Sequence, residues 1–345
     1  MAKTKVGLLL MLVFLAIAAT GCGTTGADAD AGDEAWPKLE LSMSVNGTDI
    51  QIDTKVADKF AELVAEETGG RITIVVFPND QLAGGNATKG IEMIALGSVD
   101  LAAYATSTLS VIDRQLSIGT IPWSFEDYTD ARQTIDSIGA NYYTERLAAK
   151  GLTYLGSFHN GFRQLTNSKR AVKTPEDIKG LKIRVPGSEI YMGVFRTLGA
   201  DPVSMSWSEV FTAIQQGTID GQENGVSISA SAKMPEIQKH ITLWNYAYDS
   251  DLIIANSKVW DALDENVQTL LSEKAKEACE WGRDKLEADE ADLLAQFEEQ
   301  GMEITYISKE EQLAFKQAVN SFRNQMIDSY GEDACANFGI KKEGE

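Results

Sequence analysis

"GLKIRVPGSEIYMGVFRTLGADPVSMSWSEVFTAIQQG", residues 180–217, changes period three times. Between Gly180 and Pro186, Leu181, Ile183 and Val185 lie on one face and Lys182 and Arg184 on the other, the period of a strand. A helix over 188–199 follows, then a short strand, "PVSM". Next comes a helix over 206–217, opened by a capping box from Ser206 to Glu209 and closed on Gly217. Strand, helix, strand, helix in that order predicts α/β architecture with a largely parallel sheet. It also brings Arg184 to the end of a strand. A guanidinium there is solvated, paired internally, or awaiting a group that is not part of the chain.

The same punctuation extends both ways. Upstream, "TPEDIKG" has Thr174 as N-cap, Pro175 at the first helical position and Gly180 past the end, and "RQLTNS" (163–168) reads as a strand. Downstream, "IDGQENG" (219–225) puts Glu223 and Asn224 directly after a strand-like turn. A similar series begins at "LELSMSV" (39–45). Val56, Phe60, Leu63 and Val64 then repeat at helical spacing up to Gly69-Gly70, and "RITIVVF" (71–77) is a strand closed by Pro78. A helix in 87–100, the strand "LAAYA" (101–105), a polar helical stretch (126–150) and "LTYLGSF" (152–158) complete a first α/β unit. Residues 264–300 hold no proline and one internal glycine, Gly282. As a helix they would span about 54 Å, more than one small domain. The heptad pattern breaks at Glu280 and Arg283, so a helix lying across both units is expected rather than a coiled coil. "EITYIS" (303–308) and an amphipathic helix (309–329) end the chain.

At 345 residues the chain suits two domains. Asp and Glu outnumber Lys and Arg by 51 to 31, a surface that repels phosphate backbones and argues against a nucleic-acid partner. At the N-terminus Lys3 and Lys5 precede "VGLLLMLVFLAIAAT", a secretory signal too short for an ordinary transmembrane span. Ala19-Thr20-Gly21 before Cys22 resembles a lipobox, with Ala19 where leucine is commoner, so Cys22 is the expected lipidation site. The alternative is an ordinary secretory signal or a retained anchor. "GCGTTG" (21–26) matches GxGxxG by letter, but it lies between this signal and the acidic linker "ADADAGDEA", not between strand and helix. Cys279 and Cys335 are either bridged, as a secreted context permits, or two unpaired, partly buried thiols. Two histidines, His159 and His240, leave little for a zinc site, and no metal or cofactor is expected.

The side chains with chemistry gather in the second unit: Arg163 in "HNGFRQLTNS", Arg184, and Glu223 with Asn224. α/β sheets bind ligands beyond the carboxyl ends of their strands. A buried arginine needs a planar acceptor, and a carboxylate fits the guanidinium fork through two hydrogen bonds. For Arg184 a ligand role and a structural ion pair weigh equally, and for Arg163 the ion pair weighs more. Trp207 either lines the cleft or anchors its helix on the sheet. Asp220 and Glu223 raise an alternative, a secreted enzyme acting on acidic sugars, although Glu223 is better used holding an arginine. His159 reads as a structural or rim residue.

Taken together, "TGGRITIVVFPNDQLAGG", "GSVDLA", "GFRQLTN", "DIKGLKIRVP", "LGADPVSMSWSEVFTAIQQGTIDGQEN" and the long helix resemble the solute-binding proteins of TRAP (tripartite ATP-independent periplasmic) transporters, over residues 38–335. The resemblance implies an α/β, two-lobe periplasmic-binding-protein-like fold. Residues 1–21 would be the signal peptide and 22–36 a linker. Lobe one would comprise 37–160 with about 250–285, and lobe two 161–249 with about 301–345, the long helix 264–300 spanning both. It implies a monomeric, non-enzymatic, extracytoplasmic receptor, lipid-anchored through Cys22, that passes a small organic acid to TRAP permease subunits. The carboxylate-clamping arginine would be Arg184, the second arginine Arg163 and the ligand-contacting asparagine Asn224. Two departures stand out. Gly225 follows Asn224 where the family usually has proline, and "YATS" (104–107) lacks the acid often found in lobe one. Asn46 and Tyr104 are the lobe-one candidates, each also readable as an ordinary loop or core residue. Hydroxyls from Tyr104, Thr106 and Ser107 and a wall from Trp207 would favour a sugar acid, such as a uronate or aldonate, over a C4-dicarboxylate.

Overall fold

The computed structural model describes residues 36–342. The signal segment and Cys22 lie outside the described residues. Eleven strands among the described residues form two sheets: β1 (Leu39–Val45), β2 (Ile72–Phe77), β3 (Leu101–Ala105), β4 (Leu152–Phe162), β5 (Gln164–Asn167), β6 (Lys182–Val185), β7 (Asp201–Ser204), β8 (Gly221–Asn224), β9 (His240–Leu243), β10 (Tyr248–Asn256) and β11 (Glu303–Tyr306). The first sheet has the order β2-β1-β3-β10-β4 and the second β11-β9-β5-β8-β6-β7. Each sheet is the centre of one lobe.

The opening stretch folds as its pattern predicts. β6 runs parallel to β7, with Arg184 beside Val203, and helices Glu189–Thr197 and Trp207–Gln215 follow the two strands. The capping boxes at Thr174 and Ser206 are both formed. The expectation of largely parallel sheets needs correction, because both are mixed. β10 pairs antiparallel with β3 and β4, and β5 pairs antiparallel with β8 and β9. Each lobe thus contains a strand that entered from the other. Glu223 and Asn224 likewise do not come directly after a turn. They lie in a strand, β8, between β5 and β6.

The chain crosses between lobes where β4 leads into β5 and where β9 leads through 244–247 into β10. The Arg163 N–H donates to the Ala247 carbonyl at 2.8 Å, tying the two crossings together. The third connection is helix Glu265–Glu299, 35 unbroken residues or about 52 Å. Its first half packs with helix Ile52–Glu67 in the lobe-one core, where Leu271, Ala275 and Ala278 share one hydrophobic cluster with Val56 and Phe60. Its last turns bring Phe297 onto Val226 and Ile241 of lobe two. Arg283, where the heptads break, is buried and pairs with Asp136 at 2.8 Å and Ser157 Oγ at 2.9 Å. Helix Lys309–Tyr330 starts against lobe two, but its end reaches lobe one, where Tyr330 meets Ser117 at 2.8 Å. Cys279 and Cys335 are both buried and free.

Candidate functional site

A cavity of about 300 Å³ lies between the lobes. Its lobe-two wall comes from the strand ends that the opening stretch specifies. Arg184 projects from β6 and is 4% exposed. Its Nε and Nη2 both donate to the Met205 carbonyl, at 3.0 and 2.9 Å. Its Cζ sits 5.3 Å from the Trp207 ring centroid. No carboxylate of the described residues pairs with it, and Nη1 has no partner among them. Burial lowers its pKa to about 9, with Glu223 opposing and Arg163 adding to the effect. A guanidinium that remains charged at neutral pH, dry and with no carboxylate bonded to it is costly, and a bound carboxylate removes that cost.

Arg163 is in the opposite state. Its Nε donates to Glu223 Oε2 at 2.5 Å, and its Nη2 to Glu223 Oε1 and the Glu223 carbonyl at 3.0 Å. Nη1 donates to Asn160 Oδ1 at 2.9 Å, with Asp249 at 3.5 Å. The Tyr246 hydroxyl donates to Glu223 at 2.8 Å. Burial works against the charge on Arg163, but Glu223 and Tyr191 outweigh it and keep its pKa well above the usual value. Arg163 borders the cavity with its charge already matched.

Asn224, beside Arg184, also borders the cavity. Its Oδ1 accepts from the Gly225 N–H at 3.2 Å, a bond that proline could not make. A Cβ at Gly225 would meet the Asn160 carbonyl at 2.7 Å. Glycine here fits a close approach and begins helix Val226–Ser231.

Lobe one contributes Asn46, Gln51, Ser107 and Asn160. Asn46 Nδ2 donates to Asp80 at 2.5 Å, leaving its oxygen for the cavity. Ser107 is 1% exposed and its hydroxyl has no partner. Asn160 Nδ2 donates to Asp251 at 3.2 Å while its oxygen accepts from Arg163.

Arg184, Arg163, Asn224, Trp207 and Asn46 therefore meet at one cavity, and three expected contacts do not. Tyr104 is turned into lobe one, where its hydroxyl donates to Asp80 at 2.6 Å. Gly90 leaves room for it, since a Cβ there would lie 2.1 Å from the Tyr104 oxygen. Glu223 lies behind Arg163 and off the cavity wall. Thr106 is likewise spent, on Asp249 at 2.7 Å. Asp220 accepts from the Lys182 N–H at 2.9 Å and stands off the cavity, so it forms no catalytic pair with Glu223. His159 is buried and bonded to Tyr248 at 2.6 Å, held neutral by burial beside Arg283 and Arg132. Gln51 and Asn160 were not anticipated. Each is a polar residue in a loop or strand end, indistinguishable in sequence from a solvated one.

The model of the bacterial extracellular solute-binding proteins, family 7, matches residues 43–329. A solute-binding protein of Verminephrobacter eiseniae is 33% identical over 308 residues, covering 89% of this chain and 89% of that protein. The 2,3-diketo-L-gulonate-binding periplasmic protein of Escherichia coli is 32% identical, covering 87% of this chain and 88% of that one. Among solved structures, a TRAP periplasmic solute-binding protein from a Polaromonas species, bound to D-erythronate, superposes with a TM-score of 0.82. It is 31% identical and covers 88% of this chain and 100% of its own.

Proposed function

The chain belongs to the bacterial extracellular solute-binding proteins of family 7, and on that premise we propose that it holds a small organic acid between its lobes, the acid's carboxylate on Arg184. The observation that carries this reading is the buried, unpaired state of Arg184 at the cavity wall. The family is one of binding proteins, and no step of catalysis is called for. The receptor works as a monomer outside the cytoplasm and delivers its ligand to TRAP permease subunits.

The cavity supports a finer assignment. Only one of its two arginines has an open fork, because Glu223 occupies the other. Around that fork stand amide and hydroxyl groups from Asn46, Ser107 and Asn224, and the ring of Trp207. One carboxylate on a hydroxylated body suits these groups better than two carboxylates, so a uronate or aldonate is preferred to a C4-dicarboxylate. The relatives named for 2,3-diketo-L-gulonate and bound to D-erythronate handle acids of that kind. A thermal-shift panel of uronates, aldonates, dicarboxylates, 2-oxo acids and neutral sugars tests this. At a hundred times its dissociation constant a ligand adds about 2.7 kcal/mol, a shift of a few degrees. Sugar acids should give it and neutral sugars none. A shift from succinate alone would move the assignment to dicarboxylates, and a response to neutral sugars alone would overturn the clamp.

No helix among the described residues is long and apolar enough to cross a membrane. Attachment is assigned to Cys22, acylated after removal of residues 1–21. Intact-mass analysis should find a mature chain beginning at a lipid-modified Cys22, and Cys22→Ala should release it from membranes. An unmodified Cys22 in the mature protein would contradict this.

A further inference from the structure

Gln51 occupies the N-cap position of helix Ile52–Glu67, yet its side chain makes no capping bond. It is 3% exposed and borders the cavity. Its Oε1 instead accepts from Trp207 Nε1, across the cleft from lobe two, at 3.0 Å. The indole nitrogen can only donate, which fixes the carbonyl of Gln51 as its partner. One residue further on, Ser208 Oγ donates to the Gly85 carbonyl of lobe one at 2.9 Å. Trp207 is thus joined to both halves of the molecule: its ring faces the Arg184 guanidinium at 5.3 Å, and its N–H holds lobe one.

We propose that Gln51 is the lobe-one half of a latch whose other half is Trp207, so that a carboxylate seated on Arg184 and closure of the lobes are linked through one indole ring. A carboxylate on the open fork fixes the plane of the guanidinium, the guanidinium fixes the ring, and the ring aims its single donor at Gln51. The bond is buried, so a broken latch leaves one polar group dry and without a partner. Gln51 is a positioning residue here, acting on the lifetime of the closed form rather than on the first encounter with ligand. The proposal rests on the receptor reading.

Two variants break the same bond from opposite sides. Trp207→Phe keeps a ring over Arg184 and removes the donor, while Gln51→Leu removes the acceptor at similar size. Labels at Glu92→Cys and Gln215→Cys, exposed positions in lobes one and two, report lobe separation by single-molecule energy transfer. The probes are D-galactonate, D-erythronate and succinate. In wild type, the acids that bind should close the lobes. Each single variant should dissociate the same acid about 5–20-fold faster with association within about twofold, a size in keeping with one buried hydrogen bond. The double variant should be no worse than the poorer single. Unchanged dissociation in both singles, or losses that multiply in the double, would overturn the latch. Should none of the three acids bind, the organic-acid reading fails separately and the latch is read without ligand. Its closed fraction must then fall equally in both singles, and equal fractions in all four proteins, zero included, overturn it.

Discussion

Arg163 and Arg184 are both buried at one cavity and differ in what faces them. Glu223 takes the Nε and Nη2 of Arg163 and Asn160 takes its Nη1, whereas Arg184 has only the Met205 carbonyl. The buried carboxyl of Asp53 behaves in a related way. Burial raises its pKa to about 7, although N–H groups of Thr54 and Gly47 pull it down, and Asp80 adds to the rise. A carboxyl that keeps its proton longer in the fold than in the open chain contributes stability that is complete below about pH 4, its unfolded value, and is lost as pH rises through about 7. Asp53→Asn should therefore flatten the pH profile. The variant can keep only one of the two backbone bonds, so it should be less stable than wild type at pH 4.5. It should gain on wild type by at least about 1 kcal/mol between pH 4.5 and 8, one pKa unit being worth about 1.4 kcal/mol. Urea unfolding at both values measures this, and parallel curves would contradict it. At this scale the position of Arg184 was legible, because it stands in a strand with a turn after it. The lobe-one contacts were less so. A lone glycine inside the helix Ala87–Leu96 was the available sign that something large packs there, and Gly90 is where Tyr104 lies.

Among the elements, the helix Glu265–Glu299 shows how packing outweighs propensity. Gly282 lies at its middle, where it crosses helix Ile52–Glu67, and a Cβ there would come within 2.3 Å of Val56 Cγ2. Alanine is the better helix former by about 0.8–1 kcal/mol. Inserting it into a packed contact against a stiff β-branched side chain costs about 1–3 kcal/mol. Gly282→Ala should thus lower the unfolding midpoint despite its helix propensity, and a raised midpoint in thermal or urea unfolding would show that the crossing is loose. The elements with clear period and caps were readable in sequence, this helix among them. β8 and β10 were not. "GQEN" shows no apolar strand face because all its long side chains are polar, but Glu223 is neutralised by Arg163, and Gln222 is bonded to Thr166 at 2.9 Å. In β10, Asp249 and Asp251 interrupt the apolar run, and Thr106, Tyr191 and Asn160 satisfy them from distant parts of the chain. Those partners exist only after the lobes assemble, so no local pattern announces these strands.

For the whole molecule, 20 surplus negative charges repel an anion at long range. Capture must come from local groups shielded from that field, and a dry cleft closed by two lobes provides them, since burial strengthens each charge-assisted bond. The mixed sheets belong to the same design. Two crossings tied at Arg163 and Ala247, with the long helix alongside, hold both halves around a common cavity. Calorimetry on wild type and Arg184→Lys is the direct test, using the panel acid with the largest thermal shift and the uncharged polyol that matches it. Lysine keeps the charge and loses the planar fork. The acid should bind wild type one to one, the polyol should give no heat, and the Lys variant should lose about 2–5 kcal/mol of affinity with its melting temperature kept. Near wild-type affinity in the Lys variant, or a polyol that binds as well as the acid, would contradict carboxylate capture by Arg184.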